Sequence, residues 1–447
     1  MSVAERLVTA GMSPAEAGRK AAMFGSLERE FGPAPYQWFV PGRVELLGKH
    51  TDYAGGRSLV CAVERGFCLF ARARDDSVLT VLDCHSRERV SLTAPGGQAT
   101  SPPSSAASGW AIYPATVLAR VSRDFGITRG LDLALTSDLP AAAGLSSSSA
   151  FTVGTFLALA AVNNLQAHPA FPAALPTPLR CADYLGRVEN GMPFEGFAGA
   201  AGVGTLGGCQ DQTAILCSIP GEVGQFCFDP VTFERRIPFP ELHVLVVALS
   251  GVVAAKTGAA MESYNAAARA VHEIERRWRE ASGRQDRSLA RAAASGPGAR
   301  GDLARLVADD PVLRPRLEQF LEESAELVPA AAEALHRRDL GRFGTLVDRS
   351  QLAAERGLRN QTPETIHLQR SARSLGAVAA SAFGAGFGGS VWAMVEANRA
   401  ERFLEDWKAG YEAAFPARAA EEGGGQADWF VTRPGPAATR IRESHRT

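Results

Sequence analysis

Three short segments of the 447-residue chain concentrate groups that could do chemistry. The first, PGRVELLGKHTDYAGGRSL at 41–59, brings Arg43, Lys49, His50, Asp52 and Tyr53 within eleven residues, just ahead of Gly55 and Gly56. A carboxylate and an imidazole can each bond vicinal hydroxyls, and a guanidinium adds a fixed charge, so the set suits a polyhydroxylated ligand. The same residues would also serve as a solvated turn between two strands. The second segment, LPAAAGLSSSSAF at 139–151, is a turn at Gly144 opening a helix that begins Ser146, Ser147, Ser148, Ser149. Free N–H groups and the positive dipole end at a helix start favour phosphate, and hydroxyls can ligate magnesium. Capping alone needs one Ser, so four in a row favour an anion site. The third, FGAGFGGSV at 383–391, matches G-x-G-x-x-G through Gly384, Gly386 and Gly389. A dinucleotide fingerprint follows a strand and opens a helix, whereas here a strand-like run comes next. A Rossmann site is therefore disfavoured, a P-loop motif is absent, and a tight glycine turn that supports packing is the plainer reading.

The elements that must position these groups are mixed. Strand-like runs are VELLG, SLVCAV, FCLFARA, SVLTVLDC and LDLALTSDLP, then LHVLVVAL at 242–249, SVWAMV at 390–395 and DWFVTRP. A long apolar helix follows the serines, CADYLGRVENGM reads as another, long helices dominate 258–355, and 401–415 is helical. Ser13-Pro14-Ala15-Glu16 reads as a helix start with Ser as cap and Glu in the capping-box position. Residues 96–109 read as a loop, 423–426 as a turn, 283–302 as a mobile connection and the last dozen residues as frayed. There is no steady β-α-β rhythm, which argues for an α+β protein of two lobes and against a doubly wound sheet. The expected units are a helical extension at 1–35, a first domain at 36–235 and a second at 236–447.

Composition narrows the function classes. Lys plus Arg is 47 and Asp plus Glu is 48, so there is no basic bias of the kind nucleic acid or an anionic membrane selects. The seven cysteines are odd in number and form no C-x-x-C, which predicts small buried hydrophobes in a reducing compartment. The eight histidines include no H-E-x-x-H. The N-terminus lacks a hydrophobic signal core. The apolar block AFTVGTFLALAAV is short of the roughly 20 residues a spanning helix needs. A cytoplasmic protein with no membrane or nucleic-acid partner is expected.

Taken in order, the three segments resemble the signature motifs of the GHMP kinases, the family of galactokinase, homoserine kinase, mevalonate kinase and phosphomevalonate kinase. The galactokinase branch is the most similar. Its first motif reads PGRVNLIGEHTDYNGG against PGRVELLGKHTDYAGG here, its second P-x-G-x-G-L-S-S-S-A against PAAAGLSSSSA, and its third GAGFGG is matched in full. Weaker matches lie between: ENG at 189–191, GGCQDQ at 207–212, SYN at 263–265 and GRFGTLVDRSQ at 341–351. The resemblance spans about residues 36–395.

The resemblance implies a two-lobed fold with the active site between the lobes, and transfer of the γ-phosphoryl group of ATP, with Mg2+, to the anomeric hydroxyl of a sugar. It implies Asp211 as the aspartate that accepts or orients the acceptor proton, with Arg43 beside it. Gly144, Leu145, Ser146, Ser147 and Ser148 would cradle the triphosphate, Gly384, Gly386 and Gly388 would pack beneath it, and Ser148 and Glu189 would hold Mg2+. Lys49, His50, Asp52, Gly208 and Tyr264 would contact the sugar. Lys49 is the departure that bears most on substrate, since the family has Glu there: a cation in its place points to a uronic acid such as galacturonate, whereas a Lys49 that turns outward or forms an ion pair leaves galactose as the substrate. Ala142, Ser250 and Gln351 depart from family Gly, Asp and His. A non-catalytic sugar- and ATP-sensing regulator is the alternative, disfavoured because Arg43, Asp211 and the serine run all persist. A monomer or weak homodimer is expected.

Overall fold

Among the described residues, alternating and β-branched runs supply twelve strands: β1 Tyr36–Leu47, β2 Arg57–Ala73, β3 Val78–Asp83, β4 Arg89–Thr93, β5 Leu131–Ser137, β6 Glu222–Cys227, β7 Thr232–Pro238, β8 His243–Leu249, β9 Ala379–Phe383, β10 Ser390–Glu396, β11 Trp429–Thr432 and β12 Thr439–Glu443. They come from a computed structural model that describes residues 1–94, 109–140, 143–252, 258–420 and 427–443. The first sheet runs β12-β1-β2-β5-β3-β4, with β6 on β2 and β7 on β6. The β3–β5 pair is parallel and the other pairs of this sheet are antiparallel. The second sheet runs β11-β8-β10-β9, antiparallel throughout. This is the two-lobed α+β arrangement expected from the sequence.

SLVCAV and FCLFARA fuse into one strand, β2, of 17 residues. Its length lets its start pair with β6 and its end with β5. The helix Ser147–Val162 is buried almost all round, as a helix without a polar face must be. It packs within the core cluster that also takes Val40, Val44 and Leu69 of β1 and β2 and Trp392 and Met394 of β10. One apolar interior therefore supports both lobes and holds the serine segment by its helix.

Two expectations need correction. Residues 283–302 are not a loose connection but carry the helices Leu289–Ala293 and Ala299–Leu306. The Ser and Gly that read as breaks are caps: Ser288 accepts a bond from the Arg291 N–H, and Gly298 is the left-handed N-cap of the second helix. Leu289, Ala292 and Leu303 pack in a cluster with Trp278 and Leu317. The C-terminal residues are not frayed as far as Glu443, because β12 pairs with β1 and buries Ile441 against Leu7, Phe24 and Phe39. Almost all of the loop expected over 96–109, and the turn at 423–426, lie outside the described residues, as does Ala142. No described helix is long and apolar enough to cross a membrane.

The N-terminal helices Val3–Thr9 and Pro14–Phe31 brace the first sheet. The full capping box forms at Ser2 and Glu5. At Ser13 the side chain makes no cap bond, and Glu16 turns instead to Arg19 and Lys20. The Lys20 ammonium is fully buried, 3.2 Å from Glu16 and paired also with Asp138. Asp138 accepts from the Gly66 N–H at 2.8 Å and stands where β5 leaves toward the serine segment. Removing one partner of a buried pair strands the other charge. Lys20→Ala should therefore lose about 3–5 kcal/mol of unfolding free energy in a denaturant titration.

Candidate active site

β1 brings the first chemical group into place. Arg43 is 3% exposed, and its guanidinium donates through Nε to Asp211 Oδ1 at 2.8 Å, with Nη2 2.7 Å from the same oxygen. Its Nη1 donates to the Gly144 carbonyl, and its backbone N–H donates to Leu145 O at 3.2 Å. Asp211 lies in the first turn of the helix Gln210–Cys217, where the dipole favours a carboxylate. Arg43, His50, Asp52, Ser149, Glu189, Gly208, Asp211, Tyr264 and Gly384 line one cleft, together with Glu45, Asn190, Gln210 and Gln212. The structure thus brings Arg43, His50 and Asp52 of the first motif together with Gly208, Asp211, Tyr264 and Gly384.

Within the cleft, His50 is held at a positive φ of 56°, with Nδ1 2.9 Å from the Tyr53 hydroxyl and Nε2 3.0 Å from Ala385 O. Asp52 Oδ2 accepts from the Gln210 N–H at 3.2 Å. A Cβ at Gly208 would stand 2.3 Å from that carboxylate oxygen, so only glycine allows the approach. Burial pushes the Tyr53 and Tyr264 phenols up, and both remain neutral hydrogen-bonding groups.

The serine segment meets the third motif backbone to backbone. Gly144 and Gly384 both have positive φ, 76° and 84°. A Cβ on Gly144 would lie 3.1 Å from Phe383 O, and one on Gly384 3.0 Å from the Gly144 Cα. Ser390 Oγ donates to Ala143 O at 2.5 Å and locks the contact. Gly386 and Gly388 face elsewhere, against Asn360 and Val252, so they shape the turn rather than reach the serines. Ser146 is the left-handed N-cap of the serine helix, and its buried Oγ has no partner among the described residues.

The matches to known proteins follow the same segments. Residues 113–190 match the GHMP kinases N terminal domain, residues 331–413 the GHMP kinases C terminal model, and residues 26–73 the galactokinase galactose-binding signature. A galactokinase of Roseiflexus sp. is 28% identical over 398 residues, covering 84% of this chain and 87% of that protein. A galactokinase of Exiguobacterium sibiricum is 37% identical over 125 residues, and in that match the chain spans 31% of the relative's length. The crystal structure of Lactococcus lactis galactokinase complexed with galactose shares the fold, with a TM-score of 0.74 at 20% identity over 94% of this chain and 99% of that one. The chain belongs to the GHMP kinases. It is a galactokinase-like phosphotransferase with an alcohol group as acceptor, and it uses ATP with Mg2+.

The residues of this kinase fit both groups. The partnerless Ser146 hydroxyl, at the N-terminus of a 16-residue helix, suits a phosphate. Ser149 Oγ lies 3.2 Å from Glu189 Oε2 and 3.4 Å from Asp211 Oδ2. That all-oxygen, doubly negative set is of the kind Mg2+ takes while keeping several waters. The hydroxyl that meets Glu189 is thus Ser149, one residue beyond Ser148, which the sequence pointed to. Gln212 Nε2 donates to Glu189 at 2.7 Å and fixes the carboxylate.

Lys49 is the clear correction. It is absent from the cleft lining, it is 1% exposed, and its Nζ donates to Ser350 Oγ at 3.1 Å. Ser350 in turn donates to Glu323 at 2.8 Å. Gln351 likewise turns away, accepting from Ser381 Oγ and the Ala382 N–H of β9, and Ser250 Oγ accepts from the Val252 N–H. Sequence reasoning gave no role to Glu45, Asn190 or Gln210, and it named Ser149 only within the serine run. Glu45 carried a usable signal, because it sits two positions from Arg43 on a strand and so shares its face.

Burial raises the Glu45 carboxyl to about 7, against the opposing pull of Lys49 and Arg43 and a bond from Gln210, with Glu323 adding to the rise. A carboxyl raised in the folded state stabilises the fold at acid pH and stops doing so as pH climbs through its folded value. Thermal unfolding of Glu45→Gln beside the wild type should therefore show a Tm difference that shifts in favour of the variant between pH 5 and pH 8. A difference independent of pH would contradict the assignment.

Proposed function

We propose that this kinase transfers the γ-phosphoryl group of ATP to the anomeric hydroxyl of a hexose, with galactose as its substrate. The observation that carries the reading is the Arg43–Asp211 pair, facing one cleft with His50, Asp52 and Tyr264 and tied through the Gly144 carbonyl to the serine helix. The relatives named galactokinase and the galactose-binding signature over 26–73 support the choice of sugar.

In this reading Asp211 accepts the proton of the attacking hydroxyl, or orients that hydroxyl, while Arg43 holds the carboxylate in place. Arg43 also faces the negative charge that develops on the transferred group. A single donor aimed at such charge is worth roughly 3–4 kcal/mol. Gly144 and Leu145, with Ser146, Ser147 and Ser148, hold the triphosphate at the helix N-terminus. Ser149 and Glu189 would hold Mg2+, which would supply neutralisation of phosphate charge. His50, Asp52, Tyr264 and the close backbone at Gly208 take the sugar hydroxyls. The Lys49 ammonium is engaged by Ser350, so it is not offered to a substrate carboxylate, and a neutral sugar is favoured over a uronic acid.

ADP release should be followed over a panel of hexoses and uronic acids. Galactose should be turned over well above galacturonate, and the reverse order would overturn the choice. Asp211→Asn should lower kcat by about 10²–10⁴ while nucleotide binding, measured by calorimetry, is kept.

A further inference from the structure

Beside the Arg43–Asp211 pair lies a second carboxyl that the reaction as described does not use. Glu45 follows Arg43 by two residues on β1, so both side chains leave the same face of the strand. Both line the cleft. Gln210, the residue before Asp211, donates through Nε2 to Glu45 Oε2 at 2.8 Å and receives a bond from the Ser58 hydroxyl on its own Oε1. The backbone of Glu45 is fixed from the other lobe, where Trp392 Nε1 donates to its carbonyl at 3.1 Å. The side chain is thus clamped on one oxygen. The other, Oε1, is buried and has no hydrogen-bond partner among the described residues, in a residue only 2% exposed.

A buried acceptor without a donor is costly, and native interiors seldom leave one unfilled. The donor must come from something that enters the cleft. We propose that Glu45 is a substrate-positioning residue that accepts a hydrogen bond on Oε1 from one ring or exocyclic hydroxyl of the sugar. This rests on the sugar-kinase reading above and extends it to substrate class. An acceptor in that place selects a sugar bearing a free hydroxyl there. It disfavours a deoxy sugar, which leaves Oε1 unfilled; where the hydroxyl is the exocyclic one, it also disfavours a uronate, whose carboxylate brings like charge and no donor there. The cation suited to a carboxylate, Lys49, is instead engaged by Ser350.

The test is a cycle of enzyme and substrate changes. Wild type and Glu45→Ala are assayed at pH 8.5, where the carboxyl is ionised, with galactose, its 2-, 3-, 4- and 6-deoxy analogues and galacturonate. In the wild type, one deoxy analogue should lose about 10- to 100-fold in kcat/KM relative to galactose. In Glu45→Ala, galactose itself should fall by a similar factor, and that one deoxy penalty should vanish while the others persist. Glu45→Gln keeps a carbonyl acceptor and should recover part of the loss on galactose and part of that same penalty. It also serves as the test variant should Glu45→Ala not fold, as judged by thermal melting and ATP-analogue binding. Deoxy penalties that are identical in wild type and variant at every position would overturn the proposal, and would mean that an ordered water fills Oε1. A wild type that turns over galactose but shows no coupling sinks only the role of Glu45, whereas a wild type inert on every hexose sinks the sugar-kinase reading and this inference with it.

Discussion

The cleft depends on what one guanidinium holds. Arg43 bonds the Asp211 carboxylate 168 residues away in sequence and the Gly144 carbonyl 101 residues away. A buried cation must be paired and fully hydrogen-bonded to be tolerated, so the three segments are obliged to meet wherever Arg43 is buried. The planar fork makes this possible, because separate N–H groups point at separate acceptors in fixed directions. One side chain thereby holds the aspartate in the cleft and draws the start of the serine helix toward it.

The second lobe completes the arrangement through backbone contact. Gly144 and Gly384 approach so closely that either Cβ would press on the opposite main chain, and Ser390 and Trp392 of β10 bond the carbonyls of Ala143 and Glu45. The glycine-rich third motif is thus a mould for the serine turn. Its other glycines serve the turn itself, against Asn360 and Val252. Because the apolar interior is continuous across both lobes, these polar contacts are held by packing rather than left to a mobile loop.

Behind the cleft, a polar cluster absorbs the chain's departure from its family. Where relatives have Asn and Glu in the first motif, this chain has Glu45 and Lys49. Glu323 begins the π-helical turn Glu323–Leu327 and accepts the Gly48 N–H at 2.7 Å and the Ser350 hydroxyl at 2.8 Å. Gln319, on the helix before it, donates to the Lys49 carbonyl. These partners come from two helices far along the chain, and they turn the ammonium away from the cleft. The side chain of this pair that lines the cleft is therefore Glu45.

The sequence by itself determined the family, the order of the three motifs and the class of most elements. Periodicity and the residue types at helix starts report local preferences, and the motifs report groups whose chemistry is intrinsic to them. It misjudged residues 283–302 because a Ser or Gly that breaks one helix also caps the next, and it left β12 as a frayed tail because its pairing partner, β1, begins about 400 residues earlier. Tertiary structure alone decided which serine hydroxyl meets Glu189, that Lys49 points at Ser350, and that Glu45 faces the cleft with one oxygen unpartnered. Those outcomes turn on side-chain directions of an ångström or two and on donors and acceptors brought from distant segments, and only the packed chain fixes either.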